Sequence, residues 1–581
     1  MSLQQSKSLV AIALLLIVFA CTPEKVPAGE NVGDDAPQTS QPTPDAPEGN
    51  LVGTVTDSVT GEPIGGVPVT DGHTYAVTDM NGNYTLKGNT LSRTVYLSVP
   101  AEYEIPTDKD HHPAFYINGD FTDTTKLYRN DFKLTPRETV NNRFILVNAA
   151  DIHIYDDEDL KKFAQRSLPD MIESIEAYSD DSFRECVAVL NGDQLSDRME
   201  MLEPFKQTIA GKSVAGRKLV FLHCIGNHDF DAEYINKTGL KADSYHASRT
   251  FVENFGPVDY SVNIGNAHIV VMNNLMVKGT GTTRYGQALC VEYDEGFTDS
   301  QLKWLEADLA LVPNPAEKVV ILCVHATVMN KTHRNYQAVA RLLTRFNEGY
   351  IISGHTHRIR NVNLKHTCAG GNSIREYNIQ MMGGMWWNSN LSVDGSPAGF
   401  SLMKFSGKRL YDSVNKATCA DFSYQLRVYD GNDSYDGYTA GSGVSEPKYN
   451  TAFSWPEACK GRFVARVWNA DADNWTVEFV KDGVAVPMTR LSGDKRQADE
   501  CTYSFAYNIH KNIYGNESTY HTAADDIWVI DAPGGDPSAV TGWKIVATHK
   551  ASAAKTHVYE TGVLQRDYTG FAYGDSFPAY N

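Results

Sequence analysis

The chain has 581 residues, 42% hydrophobic and 21% charged, an ordinary globular mixture too long for a single core, so about two to four domains are expected. Its formal net charge of −19 argues against duplex DNA or another long polyanion as a partner, and no basic run or basic–aromatic interleaving argues otherwise.

Lys7 precedes an apolar run at residues 9–20 (LVAIALLLIVFA), too short to span a bilayer comfortably but suited to the hydrophobic region of a signal peptide. It ends at Ala20-Cys21, and Val-Phe-Ala-Cys resembles a bacterial lipobox, whose cysteine carries lipid and becomes the mature N-terminus. An ordinary cleaved signal with an incidental cysteine is the other reading. On the first, residues 1–21 are a lipoprotein signal peptide. The protein is then held at the cell envelope through a lipid on Cys21, facing the periplasm or the surface, and is anchored rather than spanning. Residues 22–50 are rich in Pro, Gly, Asp and Thr and read as a flexible linker.

Residues 51–138 alternate short strand-like pieces with turn signals, the spacing of a small antiparallel sandwich, and resemble carboxypeptidase-regulatory-like β-domains. Its histidines, His73, His111 and His112, lack matched partners and read as solvated, and the domain's expected work is positional.

Between residues 139 and 410 five apolar runs each break into metal-ligand residue types. FILVNAA (144–150) leads to Asp151 and His153, CVAVL (186–190) to Asn191, Gly192 and Asp193, and KLVFLHCI (218–225) to Gly226, Asn227, His228 and Asp229. VVILCV (319–324) leads to His325, and YII (350–352) to Ser353, Gly354, His355, Thr356 and His357. Continuous hydrophobicity marks strands buried on both faces, and open α/β sheets carry ligands beyond the carboxyl ends of such strands. Helical spacing appears between them. Leu160, Phe163, Leu168 and Ile172 predict a helix over residues 159–175. Leu302, Leu305 and Leu309 predict one over 298–311, capped by Thr298 or Ser300. Alternating strands and helices make this region α/β.

A loop with Trp386 and Trp387 then runs into a D-G-x-P-x-G turn, the tryptophans either plugging a domain seam or lining a substrate cleft. Residues 411–581 are β-patterned and Tyr-rich, without a catalytic constellation. Of nine cysteines, Cys186, Cys224 and Cys323 sit in the apolar runs and read as inert. Cys290, Cys368, Cys419, Cys459 and Cys501 could pair in an oxidising compartment, with partners that sequence does not assign. No C-x-x-C occurs, which disfavours zinc-ribbon and thioredoxin readings.

In order, the five junctions read D-x-H, G-D, G-N-H-D, a lone H and G-H-x-H. This set resembles the calcineurin-like metallophosphoesterases, in the subfamily with an N-terminal β-domain and a C-terminal associated domain. The resemblance implies a four-layer αββα sandwich flanked by β-rich domains, and two divalent metal ions (Mn, Zn, Fe or Co). Carried over by position, Asp151, His153 and His357 are expected on the first ion, Asn227, His325 and His355 on the second, and Asp193 between them. His228 is the expected general acid, with Asp229 orienting and charging its ring. Asp197, in G-D-Q-L-S-D, falls one residue later than the commonest spacing and is left outside the site. His223 reads as a core residue. His246, His268, His333 and His366 lack this context.

The implied activity is hydrolysis of phosphate mono- or diesters through a metal-bound hydroxide. The expected substrates are small phosphate esters, phospholipid head groups or phosphorylated glycans. The alternative is a non-catalytic envelope lipoprotein on the same fold.

Overall fold

The computed structural model describes residues 49–282, 289–329, 332–388, 390–435, 453–491 and 526–565. The expected leader with Cys21, nearly all of the linker, and Cys501 lie outside the described residues.

The apolar runs of the central region form strands. In chain order they are β1 (Arg143–Ala149), β2 (Glu185–Asn191), β3 (Val220–Cys224), β4 (Tyr260–Ile264), β5 (Ala267–Val271), β6 (Val319–Cys323), β7 (Glu348–Ser353), β8 (Arg360–Thr367), β9 (Ser373–Asn378), β10 (Gly399–Ser406) and β11 (Arg409–Ala417). A five-stranded sheet has the order β3-β2-β1-β10-β11 and a six-stranded sheet the order β4-β5-β6-β7-β9-β8. β1, β2 and β3 pair in parallel, as do β5, β6, β7 and β9, so every ligand-bearing junction leaves its sheet at the same kind of edge.

Successive side chains of a strand point to opposite faces, so each sheet divides its apolar residues between two cores. Leu146, Val187, Val189 and Leu222 meet Ile269, Val271, Ile321 and Ile352 between the sheets. On the outer face of the first sheet, Ile145, Val147, Ala188 and Phe221 pack on Met171 and Ile175 of α1 (Leu168–Tyr178) and Phe205 of α2 (Leu202–Ile209). On the outer face of the second, Val270, Val320, Leu322 and Ile351 pack on Trp304, Leu305 and Leu309 of α3 (Asp299–Ala310) and Val339 and Leu343 of α4 (Tyr336–Leu343). Helix, sheet, sheet, helix are the four expected layers. Each such fully buried aliphatic side chain contributes about 1.5–3 kcal/mol.

The helix expected over 159–175 forms in three pieces, Asp157–Lys162, a π-turn Phe163–Ser167, and α1. Of the two possible caps of α3, Thr298 takes the role. Its hydroxyl accepts from the Gln301 N–H at 3.2 Å while Gln301 Oε1 accepts from the Thr298 N–H at 2.9 Å, a capping box.

The N-terminal strands form two four-stranded sheets and dock on β4, the edge strand of the six-stranded sheet, and on α3. The Asn263 N–H donates to Val99 O at 3.0 Å, Ser98 and Ser261 share a hydroxyl contact of 2.7 Å, and Tyr75 OH donates to Asp308 at 2.9 Å. Covering that edge removes a site of unwanted strand pairing. His73 is exposed, but His112 is buried rather than solvated, and burial holds its pKa below the usual value.

The C-terminal region builds two four-stranded sheets around Phe463, Val477, Phe479, Trp543 and Ile545. The expected boundary at residue 410 cuts through β11, which pairs with β10 in the catalytic sheet, so the central domain continues through Ala417. Among the described residues Cys290, Cys368 and Cys419, three of the cysteines considered for pairing, are free thiols.

Candidate metal centre

The backbone turns sharply where each strand gives way to its polar residues. Asp151, His153, Asp193, His355 and His357 all adopt left-handed φ, between 50° and 66°. Such residues are uncommon outside glycine, and each costs on the order of 1–3 kcal/mol, a strain that gathers at functional sites. The turn brings residues two apart, Asp151 with His153 and His355 with His357, into one cavity. Glycines permit the close approach. A Cβ on Gly192 would stand 2.4 Å from His325 Nδ1, and one on Gly354 would stand 2.6 Å from Asp151 Oδ2.

Ligand atoms of Asp151, His153, Asp193 and His357 lie within 4.8 Å of one another, as do those of Asp193, His325 and His355. Asp193 belongs to both groups. Asn227 joins the second, its Oδ1 lying 3.1 Å from His325 Nε2. All seven positions singled out from the sequence as ligands therefore border one buried site.

The hydrogen bonds around the imidazoles direct their lone pairs inward. His325 Nδ1 donates to Asn191 O at 2.8 Å, turning Nε2 to Asp193 Oδ2 at 3.1 Å. His153 Nδ1 lies 3.2 Å from Ser196 Oγ, and its Nε2 faces His357 Nε2 at 3.0 Å. His357 Nε2 also lies 3.3 Å from Asp151 Oδ1. Burial holds the His153 imidazole down at about 3, so it is neutral. Burial would raise both carboxylates, but His357 and His325 keep Asp151 low, and His325 and His228 keep Asp193 lower still. Converging nitrogen lone pairs and two buried carboxylates are costly without a cation, and this mixed donor set fits divalent ions of the Zn, Mn, Fe or Co kind.

Asp229 helps raise the His228 pKa through its charge, but its expected role of orienting the ring is corrected. Its Oδ1 accepts the Leu195 N–H and its Oδ2 the Gly226 N–H, both at 2.9 Å, so it staples two loop backbones together. The partner of His228 is Asp197, whose Oδ2 lies 2.6 Å from His228 Nδ1. Asp197 has a φ of 58°, which puckers the longer loop back and compensates for the extra residue. The Asp197 N–H also donates to His228 O at 3.1 Å. Burial alone would lower the His228 pKa, but Asp193 and Asp197 outweigh it and lift it to about 10.

Glu295 was not legible in the sequence. It lies 3.5 Å from His355 Nε2 and 3.6 Å from His333 Nε2, at the end of a hairpin with no motif of its own. Glu376 was also missed. Its Oε1 accepts from Thr327 Oγ1, the Val328 N–H and Ser353 Oγ, bracing the loops that carry His325 and His355. His223 is a core residue, stacked on Phe255 at 3.9 Å. His246 and His268 pair with Asp243 and Asp308, and His366 with Gln337.

The two tryptophans differ in their surroundings. Trp387 is fully buried and donates to Ile152 O at 2.7 Å, whereas Trp386 is 36% exposed with its ring 5.3 Å from that of His357.

The chain matches the family model for calcineurin-like phosphoesterase over residues 144–358, that for its N terminal over 49–137 and that for its C terminal over 376–551. No curated protein matches it. Three consecutive matches, on a fold and a buried Asp–His cluster of the expected kind, show that the chain belongs to the calcineurin-like phosphoesterase family.

Proposed function

We propose that the protein is a metal-dependent hydrolase of phosphate mono- or diesters, working at a dinuclear centre. The observation that carries this is the sharing of Asp193 by two clusters of ligand atoms. Asp151, His153 and His357 would hold one ion, Asn227, His325 and His355 the other, and Asp193 both. Bound there, divalent ions supply Lewis-acid polarisation of the phosphoryl group and acidify water to a nucleophile near neutral pH.

The side chains do the rest. Asp193 Oδ1 accepts the His228 N–H at 2.8 Å, which fixes the shared carboxylate relative to the acid. His228 Nδ1 donates to Asp197, so Nε2 is the atom left to protonate the departing oxygen. The His228 side chain is 30% exposed, open enough to meet a substrate, while Asp197 beneath it is shielded. The non-catalytic reading has no support here, since every expected ligand position keeps its residue. The leader pattern further suggests an anchored envelope protein, whose substrates would be small phosphate esters, phospholipid head groups or phosphorylated glycans.

Metal analysis together with turnover of p-nitrophenyl phosphate and bis-p-nitrophenyl phosphate tests the proposal. Near-stoichiometric transition metal, with turnover abolished in Asp193→Ala, is the expected result. A protein that neither retains nor responds to Mn, Zn, Fe or Co refutes it. Membrane fractionation of a Cys21→Ser variant tests the anchor separately.

A further inference from the structure

We infer that Trp386 is a stacking platform for a ring on the leaving alcohol, so that the centre favours phosphate esters of ring-bearing alcohols over plain alkyl esters. This rests on the phosphoesterase reading and adds a substrate class to it.

No Trp or Phe among the described residues is as exposed as Trp386. Its neighbour does the structural work. Trp387 fills the core beside Phe163, 6.5 Å between ring centroids, with its indole N–H satisfied by Ile152 O. Lys162 Nζ donates to Trp387 O at 3.2 Å, and the Gly383 N–H donates to Asp151 O at 3.2 Å. The loop is thus tied to the strand end that carries Asp151 and His153. Gly383 packs so closely there that a Cβ would lie 2.5 Å from Ile152 O. Both tryptophans have left-handed φ, 46° and 60°, and that turn drives one ring inward and the other out over the centre. The indole is held in place yet 36% exposed, and an aromatic face open to solvent suits stacking on a ring.

Its position selects the leaving group. The His153 ring neighbours both, 5.1 Å from the His228 ring and 6.0 Å from the Trp386 ring, so the acid and the platform are at most about 11 Å apart. A substituent on the oxygen that His228 protonates is therefore within one ring's reach of the indole.

Benzyl phosphate and ethyl phosphate, both esters of simple alcohols, isolate the effect. In Trp386→Ala the ratio of kcat/KM for benzyl over ethyl phosphate should fall about tenfold, and Trp386→Phe should keep most of it. Calorimetric affinity for benzylphosphonate relative to ethylphosphonate should fall in parallel. Equal losses on both esters, or an unchanged ratio in both measurements, overturn the platform while leaving the phosphoesterase reading intact. A metal-loaded wild-type protein that hydrolyses neither ester nor bis-p-nitrophenyl phosphate and binds neither phosphonate overturns both, and one that hydrolyses only the diester overturns the platform alone.

Discussion

Asp197→Asn is the substitution that most directly tests how the centre works. The Asp197 carboxylate lies 2.6 Å from His228 Nδ1 with a side chain only 3% exposed, so solvent cannot replace it. A hydrogen bond to a charged group contributes about 1.5–3 kcal/mol, and each 1.4 kcal/mol is about tenfold in rate. Losing it should slow the proton-dependent step by about 10–100-fold. The loss should depend on the leaving group. Ethoxide cannot depart unprotonated, whereas p-nitrophenolate is a stable anion that hardly needs the acid. Hydrolysis of ethyl phosphate should therefore fall by the full amount and that of p-nitrophenyl phosphate by less than about threefold. Steady-state kinetics on both esters, at constant metal content, reads this out. Asp229→Asn is the control. Its two backbone bonds hold the loop around Gly226, so it should lower stability and slow both substrates alike. Equal losses in Asp197→Asn, or leaving-group selectivity in Asp229→Asn instead, would refute the reasoning.

Other outcomes follow from the same structure. Asp193→Asn should reduce bound metal as well as turnover, because one carboxylate serves both clusters, and elemental analysis before and after chelation checks it. Arg466→Met should cost about 3–5 kcal/mol in denaturant melts, since removing one partner leaves buried charge uncompensated. Arg466 is fully buried, pairs with Asp526 at 2.9 Å, and donates to Asp394 O at 2.9 Å beside the bond between the Val393 N–H and His357 O. A C-terminal domain that merely decorates the enzyme would show no accompanying drop in metal affinity. His549 lies stacked on Trp475 at 4.3 Å, and burial, with His557 beside it, holds its imidazole down at about 3. The unfolded chain takes up that proton first, near pH 6.5. This stability is therefore complete above about pH 6.5 and lost at up to about 1.4 kcal/mol per pH unit as pH falls toward 3. His549→Phe, which keeps the stack, should flatten the acid limb of the stability curve. Tyr75→Phe, removing one bond between the N-terminal domain and Asp308, should cost about 1 kcal/mol.

The buried strands and the polar junctions that end them were legible because both are written locally, and the four layers and the ligand set followed from their resemblance to a known family. Uninterrupted apolar runs such as VVILCV can be satisfied only by strands covered on two faces, and parallel strands deliver their following residues to one edge. On the resemblance of those junctions to the calcineurin-like family, Asp151, His153, Asp193, Asn227, His325, His355 and His357 could be named before any contact was known. The capping of α3 by Thr298 was legible for the same reason, its partner being three residues away.

Direction was not legible. Asp229 is the chain neighbour of His228 and Asp197 lies 31 residues away, yet the left-handed turn at Asp197 sends its carboxylate to the imidazole while backbone N–H groups capture the other. Trp386 and Trp387 are adjacent and chemically identical, yet one is 36% exposed beside His357 and the other is fully buried. Glu295 and Glu376 reach the histidine loops from strands with no distinguishing pattern, and β11, a strand of the five-stranded sheet, runs across the expected boundary at residue 410. Hydrophobic period and motif spacing fix which residues approach a strand end. Which way each side chain then faces depends on φ at single residues and on partners distant in the chain, and only the folded structure determines those.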